Sequence, residues 1–243
     1  MKFGIKTYSD KTFLDFFENK CDFFEVQAIR GKDYSFLKKY KSPIVIHCEH
    51  QNFGVNIADS SKKDFNLKAI NFAKKIAENI SATKIIIHPG ELDNENCSKE
   101  NWDKRFCIEN LPFTDFKNKI KRLCASPEEM REFLIRTNIG FCFDINHAIE
   151  YALSEKLNYW NILKKFEELK PIHYHLGGEK MDKGESHLSF YDSDLDLRKV
   201  LEILNKNAEI TLEVSVDVNK TKKDLMLIKN INNPKFNNLS FSL

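Results

Sequence analysis

The sequence predicts a single (β/α)8 barrel, and three observations lead there. The chain has 243 residues, the usual size of one eightfold α/β barrel and too few for that barrel plus a second domain. Eight short apolar runs alternate with amphipathic segments, as the βα units of a parallel sheet require. Five of the eight runs close on a histidine or a carboxylate and a sixth carries Glu213 one place before its end, where a barrel opens its working face.

Taken in order, runs 2–7 and 22–27 begin the barrel. The second carries Glu25, which either pairs with Lys6 or faces substrate. Run 43–47 ends at His47. A helix follows, with Leu67, Ile70, Ala73, Ala77 and Ile80 at helical spacing behind the cap cluster Asp59-Ser60-Ser61. Run 83–88 ends at His88 and run 105–109 at Glu109. Ser126-Pro127-Glu128-Glu129 then starts a helix, with a capping serine, proline in the first turn and a glutamate three places after the cap. Run 140–144 ends at Asp144, and residues 151–169 read as one helix leading to run 171–175, which ends at His175. Helices over 195–205 and 220–228 flank run 209–214, which delivers Glu213. The reading is one domain over 1–243, with a loose tail at 229–243.

Side chains in a barrel strand alternate between the interior and the helix layer. The residues one place before the six ligating termini are Ile46, Ile87, Ile108, Phe143, Tyr174 and Leu212, all large enough to pack against helices. Two places before stand Val45, Ile86, Cys107, Cys142, His173 and Thr211, mostly compact enough for a narrow interior. The termini share the inward parity, so three imidazoles and three carboxylates should converge at the barrel mouth. Further candidates follow the strands: His147, and Glu185 with His187. Nine N and O donors without cysteine favour zinc, manganese or iron(II). His173 is expected to be a hydrogen-bonded interior residue, His50 to lie near the rim, and Cys48 to be structural.

Lys plus Arg (38) nearly balance Asp plus Glu (36), for a net charge of +2, so any polyanion site must be local. The six cysteines include no C-x-x-C pair and read as reduced thiols of a cytoplasmic protein. No stretch approaches the ~18 apolar residues of a membrane span. A monomer with no membrane association is expected.

The ordered motifs resemble a known superfamily over nearly the whole chain. They are Ile46-His47 with Val55-Asn56-Ile57-Ala58, Ile87-His88-Pro89-Gly90, Ile108-Glu109-Asn110, Phe143-Asp144-Ile145-Asn146-His147-Ala148, His175-Leu176, Glu185-Ser186-His187 and Leu212-Glu213. The superfamily joins endonuclease IV, the second family of apurinic/apyrimidinic endonucleases, with the xylose-isomerase-like sugar isomerases and epimerases. The resemblance implies a first ion on His47 and His88, with Glu109 bridging to a second on Asp144, His175 and Glu213. A third would rest on His147, Glu185 and His187, although the family usually has aspartate where this chain has Glu185. The isomerase branch is similar only at Glu109, Asp144, His175 and Glu213. Asn110-Leu111-Pro112 departs from the glycine-rich turn of the endonucleases, and Glu25-Val26-Gln27 reads more like the isomerases.

The leading expectation is a metal-dependent phosphodiesterase acting on nucleic acid, most simply 5′ to an abasic site, with Glu109 as bridge and Glu213 as proton acceptor. Arg30 and Tyr34 in the second loop, with Glu25, are the candidate substrate contacts. The alternative is a single-metal sugar or sugar-phosphate isomerase or epimerase, in which Glu109 and Glu213 move a proton through an enediolate. A catalytically silent barrel that binds an anion or a partner at the same face is the third class.

Overall fold

The computed structural model describes residues 1–90, 102–113 and 121–233. Eight parallel strands close into a barrel. They are β1 (Lys2–Thr7), β2 (Phe23–Gln27), β3 (Ile44–His47), β4 (Ile85–Ile87), β5 (Phe106–Glu109), β6 (Gly140–Asp144), β7 (His173–Leu176) and, after a hairpin, β10 (Glu209–Leu212). The register carries β1 onto β2 and β10 alike, so the closure is complete. The hairpin, β8 (Gly178–Lys180) with β9 (Glu185–Leu188), is antiparallel and stands apart from the barrel.

Among the described residues the helices are α1 (Lys11–Phe17), α2 (Lys63–Asn79), α3 (Pro127–Thr137), α4 (Ile145–Ser154), α5 (Tyr159–Glu167), α6 (Leu197–Ile203) and α7 (Val218–Asn232). Ser126 caps α3, its Oγ accepting from Glu129 N at 3.1 Å while Glu129 Oε2 accepts from Ala125 N. The single helix expected over 151–169 is two. α4 ends at Ser154, Lys156 takes a left-handed φ of 55°, and Asn158 caps α5 by accepting from Asn161 N. An asparagine that binds its own downstream N–H opens a new helix more readily than it continues an old one. Residues 229–232, expected in a loose tail, belong to α7, which runs to Asn232; residues 234–243 of that expected tail lie outside the described residues.

The apolar residues divide as strand parity requires. Ile46, Ile87, Ile108, Phe143, Tyr174 and Leu212 belong to the large core between barrel and helices. Phe23, Val45, Ile86, Cys107 and Cys142 form a second, smaller cluster, and their alternation with the first set puts them inside the barrel. Phe23 has room there because β1 offers Gly4 beside it; a Cβ on Gly4 would meet the Phe23 ring at 2.2 Å. Above this apolar plug the interior turns polar, with Lys6, Glu25, His173 and Thr211 sharing the inward parity of their strands. The five described cysteines are buried and form no disulfide.

Candidate metal centre

The polar layer opens onto a cluster of buried donors. One group is His47, His88 and Glu109; a second is Glu109, Asp144, His175 and Glu213; a third is Asp144, His147 and His187. Within each group the potential ligand atoms lie within 4.8 Å of one another. Glu109 belongs to the first two and Asp144 to the last two, so the three groups are contiguous.

The histidines are oriented from behind. His47 Nδ1 donates to Cys48 O at 2.8 Å, and His88 Nδ1 donates to Gln51 Oε1 at 2.9 Å. His147 Nδ1 donates to Asn110 O at 2.9 Å, and His175 Nε2 donates to Glu25 Oε2 at 3.0 Å. In each case the remaining ring nitrogen carries its lone pair into the cluster, the arrangement that second-shell partners impose on ligating imidazoles. Asp144 is divided the same way: Oδ1 caps α4 by accepting from His147 N at 2.8 Å, and Oδ2 is left over.

What is left over is the test of whether a cation fits. His47 Nε2, His88 Nε2, Glu109 Oε2, Asp144 Oδ2, His175 Nδ1 and Glu213 Oε2 are all buried polar atoms without a hydrogen-bond partner. Such atoms are rare in native interiors and costly when uncompensated. Six of them meeting in one place match the donor set of divalent transition ions.

The electrostatics agree. Burial holds the His88 imidazole down to about 4 despite Glu109 beside it. Burial opposes the charge on Glu109, yet His88 and His175 outweigh it and keep the carboxyl well below the ordinary range. Burial likewise opposes protonation of His175, but Cys142, Glu25, Glu109 and Glu213 around the ring raise it well above an ordinary histidine. The field that would draw a proton to His175 Nδ1 would equally draw a cation there.

Not every candidate joins the cluster. Glu185 is exposed on β9, opposite Lys180, and belongs to none of the three groups. Asp144 stands in the third group instead. His187 does join, with Nε2 3.4 Å from His147 Nε2, and it adopts a left-handed φ of 56° to do so. Glu25 is fully buried and accepts from His173, His175 and Thr211, so its position is behind the cluster and not toward substrate. Tyr34 is 5% exposed, its hydroxyl donating to Gln27 O and accepting from Ile29 N. Arg30 is held by Glu49 at 2.6 Å and packs over the Phe65 ring. The Tyr34 hydroxyl is thus used inside the fold, while Arg30, its Nε on Glu49, keeps a side chain 25% exposed. His50 stacks on His88 with ring centroids 4.8 Å apart, and burial with its histidine neighbours lowers it to about 2.

Sequence reasoning missed the amides. Asn110 Nδ2 donates to Asp144 O and Asn110 Oδ1 accepts from Asp144 N, which locks the ends of β5 and β6 together. Asn146 spans from α4 to Gly177, Gly178 and Glu179, and Gln27 Nε2 donates to His47 O and Cys48 O. Their only signal is a polar amide next to a strand end. Gly177 was also missed: a Cβ there would meet Glu213 O at 2.7 Å and His187 Cα at 2.8 Å, so only glycine lets these segments approach.

No family model and no curated protein matches the sequence. Solved structures do match the fold. A D-tagatose 3-epimerase-like protein superposes with a TM-score of 0.72 at 20% identity, covering 97% of this chain and 99% of its own. Endonuclease IV from Thermus thermophilus gives 0.67 at 14% identity, covering 95% and 98%. A xylose isomerase domain protein from Planctomyces limnophilus gives 0.66 at 13%, covering 95% and 96%. The chain therefore has the (β/α)8 barrel common to endonuclease IV, xylose isomerase domain proteins and sugar epimerase-like proteins.

Proposed function

We propose that this protein is a metal-dependent phosphodiesterase with a multinuclear centre, acting on nucleic acid and most simply at abasic sites. The observation that carries the reading is the first group. His47 and His88 place two orphaned imidazole nitrogens beside Glu109, which already belongs to the complete set Glu109, Asp144, His175 and Glu213. Two adjoining donor sets sharing one carboxylate suit paired ions better than one.

Divalent ions there, zinc by donor chemistry, would supply Lewis acidity toward a phosphoryl group and a nucleophile from water near neutral pH. His47 and His88 would hold the first, Glu109 would be shared, and Asp144, His175 and Glu213 would hold the second. His147 and His187 offer a third position, with Asp144 as the neighbouring carboxylate in place of the exposed Glu185. The chain itself does the orienting. Gln51, Asn110 and Glu25 fix the rings, and burial of Glu109 keeps water from competing for its oxygens. Arg30, partly exposed beside Glu49, would be the cationic contact to the polymer backbone, while the buried Tyr34 shapes the loop that carries it.

The test combines elemental analysis with cleavage of an abasic-site duplex by the parent and by Glu109→Gln. Expected are at least two ions per chain and a loss of rate of about 10²-fold or more in the variant, on the scale of removing a group that organises the charge of a transition state. Unchanged cleavage by Glu109→Gln would sink the scheme. A second reading is favoured by one observation, the completeness of the four-residue set without the two histidines. One ion per chain together with ketose epimerisation would establish that sugar-converting function instead.

A further inference from the structure

Lys6 is a cation in the barrel mouth that the scheme above leaves without a role. It sits at inward parity on β1, its side chain 10% exposed. Its Nζ donates to Glu213 Oε1 at 2.8 Å and lies 3.7 Å from Glu25 Oε1. The other oxygens of those two carboxylates both meet His175: Glu213 Oε2 is 3.0 Å from Nδ1, and Glu25 Oε2 is 3.0 Å from Nε2. The four side chains thus close a ring that runs Lys6, Glu213, His175, Glu25 and back to Lys6. Three strands distant in sequence, β1, β2 and β7, are tied through it to the residue that follows β10.

We infer that Lys6 is the positioning residue of the second ion, binding one oxygen of Glu213 so that this carboxylate presents only Oε2 to the cluster. The inference rests on the metal-centre reading above and deepens it. A carboxylate with both oxygens free can chelate one ion with two oxygens or swing between ions. With Oε1 held by an ammonium it offers a single donor in a fixed direction. Charge points the same way. Glu25, Glu109 and Asp144, all buried, and the partly exposed Glu213 put four carboxylates around the centre, and a single ammonium among them reduces the excess that the ions must offset.

The test uses Co2+ as probe, since its visible d–d absorption reports coordination number and geometry without any substrate. Parent, Lys6→Met and Lys6→Arg are loaded with Co2+ and the bound ions counted. Lys6→Met is expected to change the d–d spectrum, to weaken Co2+ binding at one site by about 10–100-fold as loss of a second-shell partner does, and to slow duplex cleavage. Lys6→Arg, which returns a cation, should restore the parent spectrum. Should Lys6→Met fail to fold, Lys6→Gln, one atom too short to reach Glu213, carries the same expectation. A Lys6→Met or Lys6→Gln spectrum identical to the parent's would overturn the inference, as would equal shifts in Lys6→Met and Lys6→Arg. A parent that binds Co2+ but cleaves no phosphodiester removes the proposed function while the spectra still decide the role of Lys6; a parent that binds no Co2+ removes both.

Discussion

His47, His88 and His175 each have one ring nitrogen assigned by a partner and one left bare, and the partners are ordinary residues. Gln51 does this for His88 with a single hydrogen bond of 2.9 Å. Gln51→Ala should therefore weaken metal binding by about 10–100-fold with little effect on folding, and titration with a chelating indicator would show it. Glu25 is the harder case, since it serves His173, His175 and Thr211 together. Glu25→Ala leaves several buried donors unanswered and is expected to lower stability by several kcal/mol, measured by denaturant midpoint. The ligating residue types were legible in the sequence because they recur at one strand end after another. Their supports were not. An amide such as Gln51 or Asn110 has no spacing of its own, and its partner lies 37 or 34 positions away.

Among the elements, the strands were easier to read than the segments between them. Inward and outward residues alternate with a period of two, and Ile46 with Val45 or Phe143 with Cys142 fall on opposite sides of the wall as that period demands. α1 was missed because seven residues give fewer than two turns of pattern, although Asp10 caps it by accepting from Thr12 N and Phe13 N. The break between α4 and α5 was missed because apolar spacing runs on through Leu153 and Leu157 while the backbone does not. The hairpin was missed because Glu179, Lys180 and Glu185 alternate no apolar face. Two predictions belong here. Ser126→Ala removes the cap of α3, which contributes no residue to the donor groups, and should cost about 1 kcal/mol with metal content unchanged. Gly177→Ala forces a methyl group against Glu213 O and His187 Cα, so it should reduce both stability and metal content, which elemental analysis of the soluble fraction would reveal.

At the scale of the whole molecule, the two ends of the barrel carry different chemistry. Opposite the mouth, Glu209 at the start of β10 receives Lys84 at 2.6 Å and Lys2 at 3.0 Å. Burial alone would raise this carboxyl, but the two ammonium groups bring it down to about 2 from 4.5. A folded-state value below the unfolded one means stability that is fully present above pH 4.5 and is lost as pH falls toward 2. Glu209→Gln should then be less stable than the parent at pH 7, with the difference shrinking through that window in denaturant titrations followed by circular dichroism. The fold itself was legible at this scale, since eight alternations in 243 residues leave few other architectures.

Phe23, Val45, Ile86, Cys107 and Cys142 form a dry plug between those ends. Such a layer works as insulation: five buried side chains without a charge stand between the acidic, cation-hungry rim and the salt-bridged floor, so the two can be altered one at a time. Durability and turnover become separate dials, and a stabilised version of this scaffold is best sought by rewriting residues around Lys2, Lys84 and Glu209.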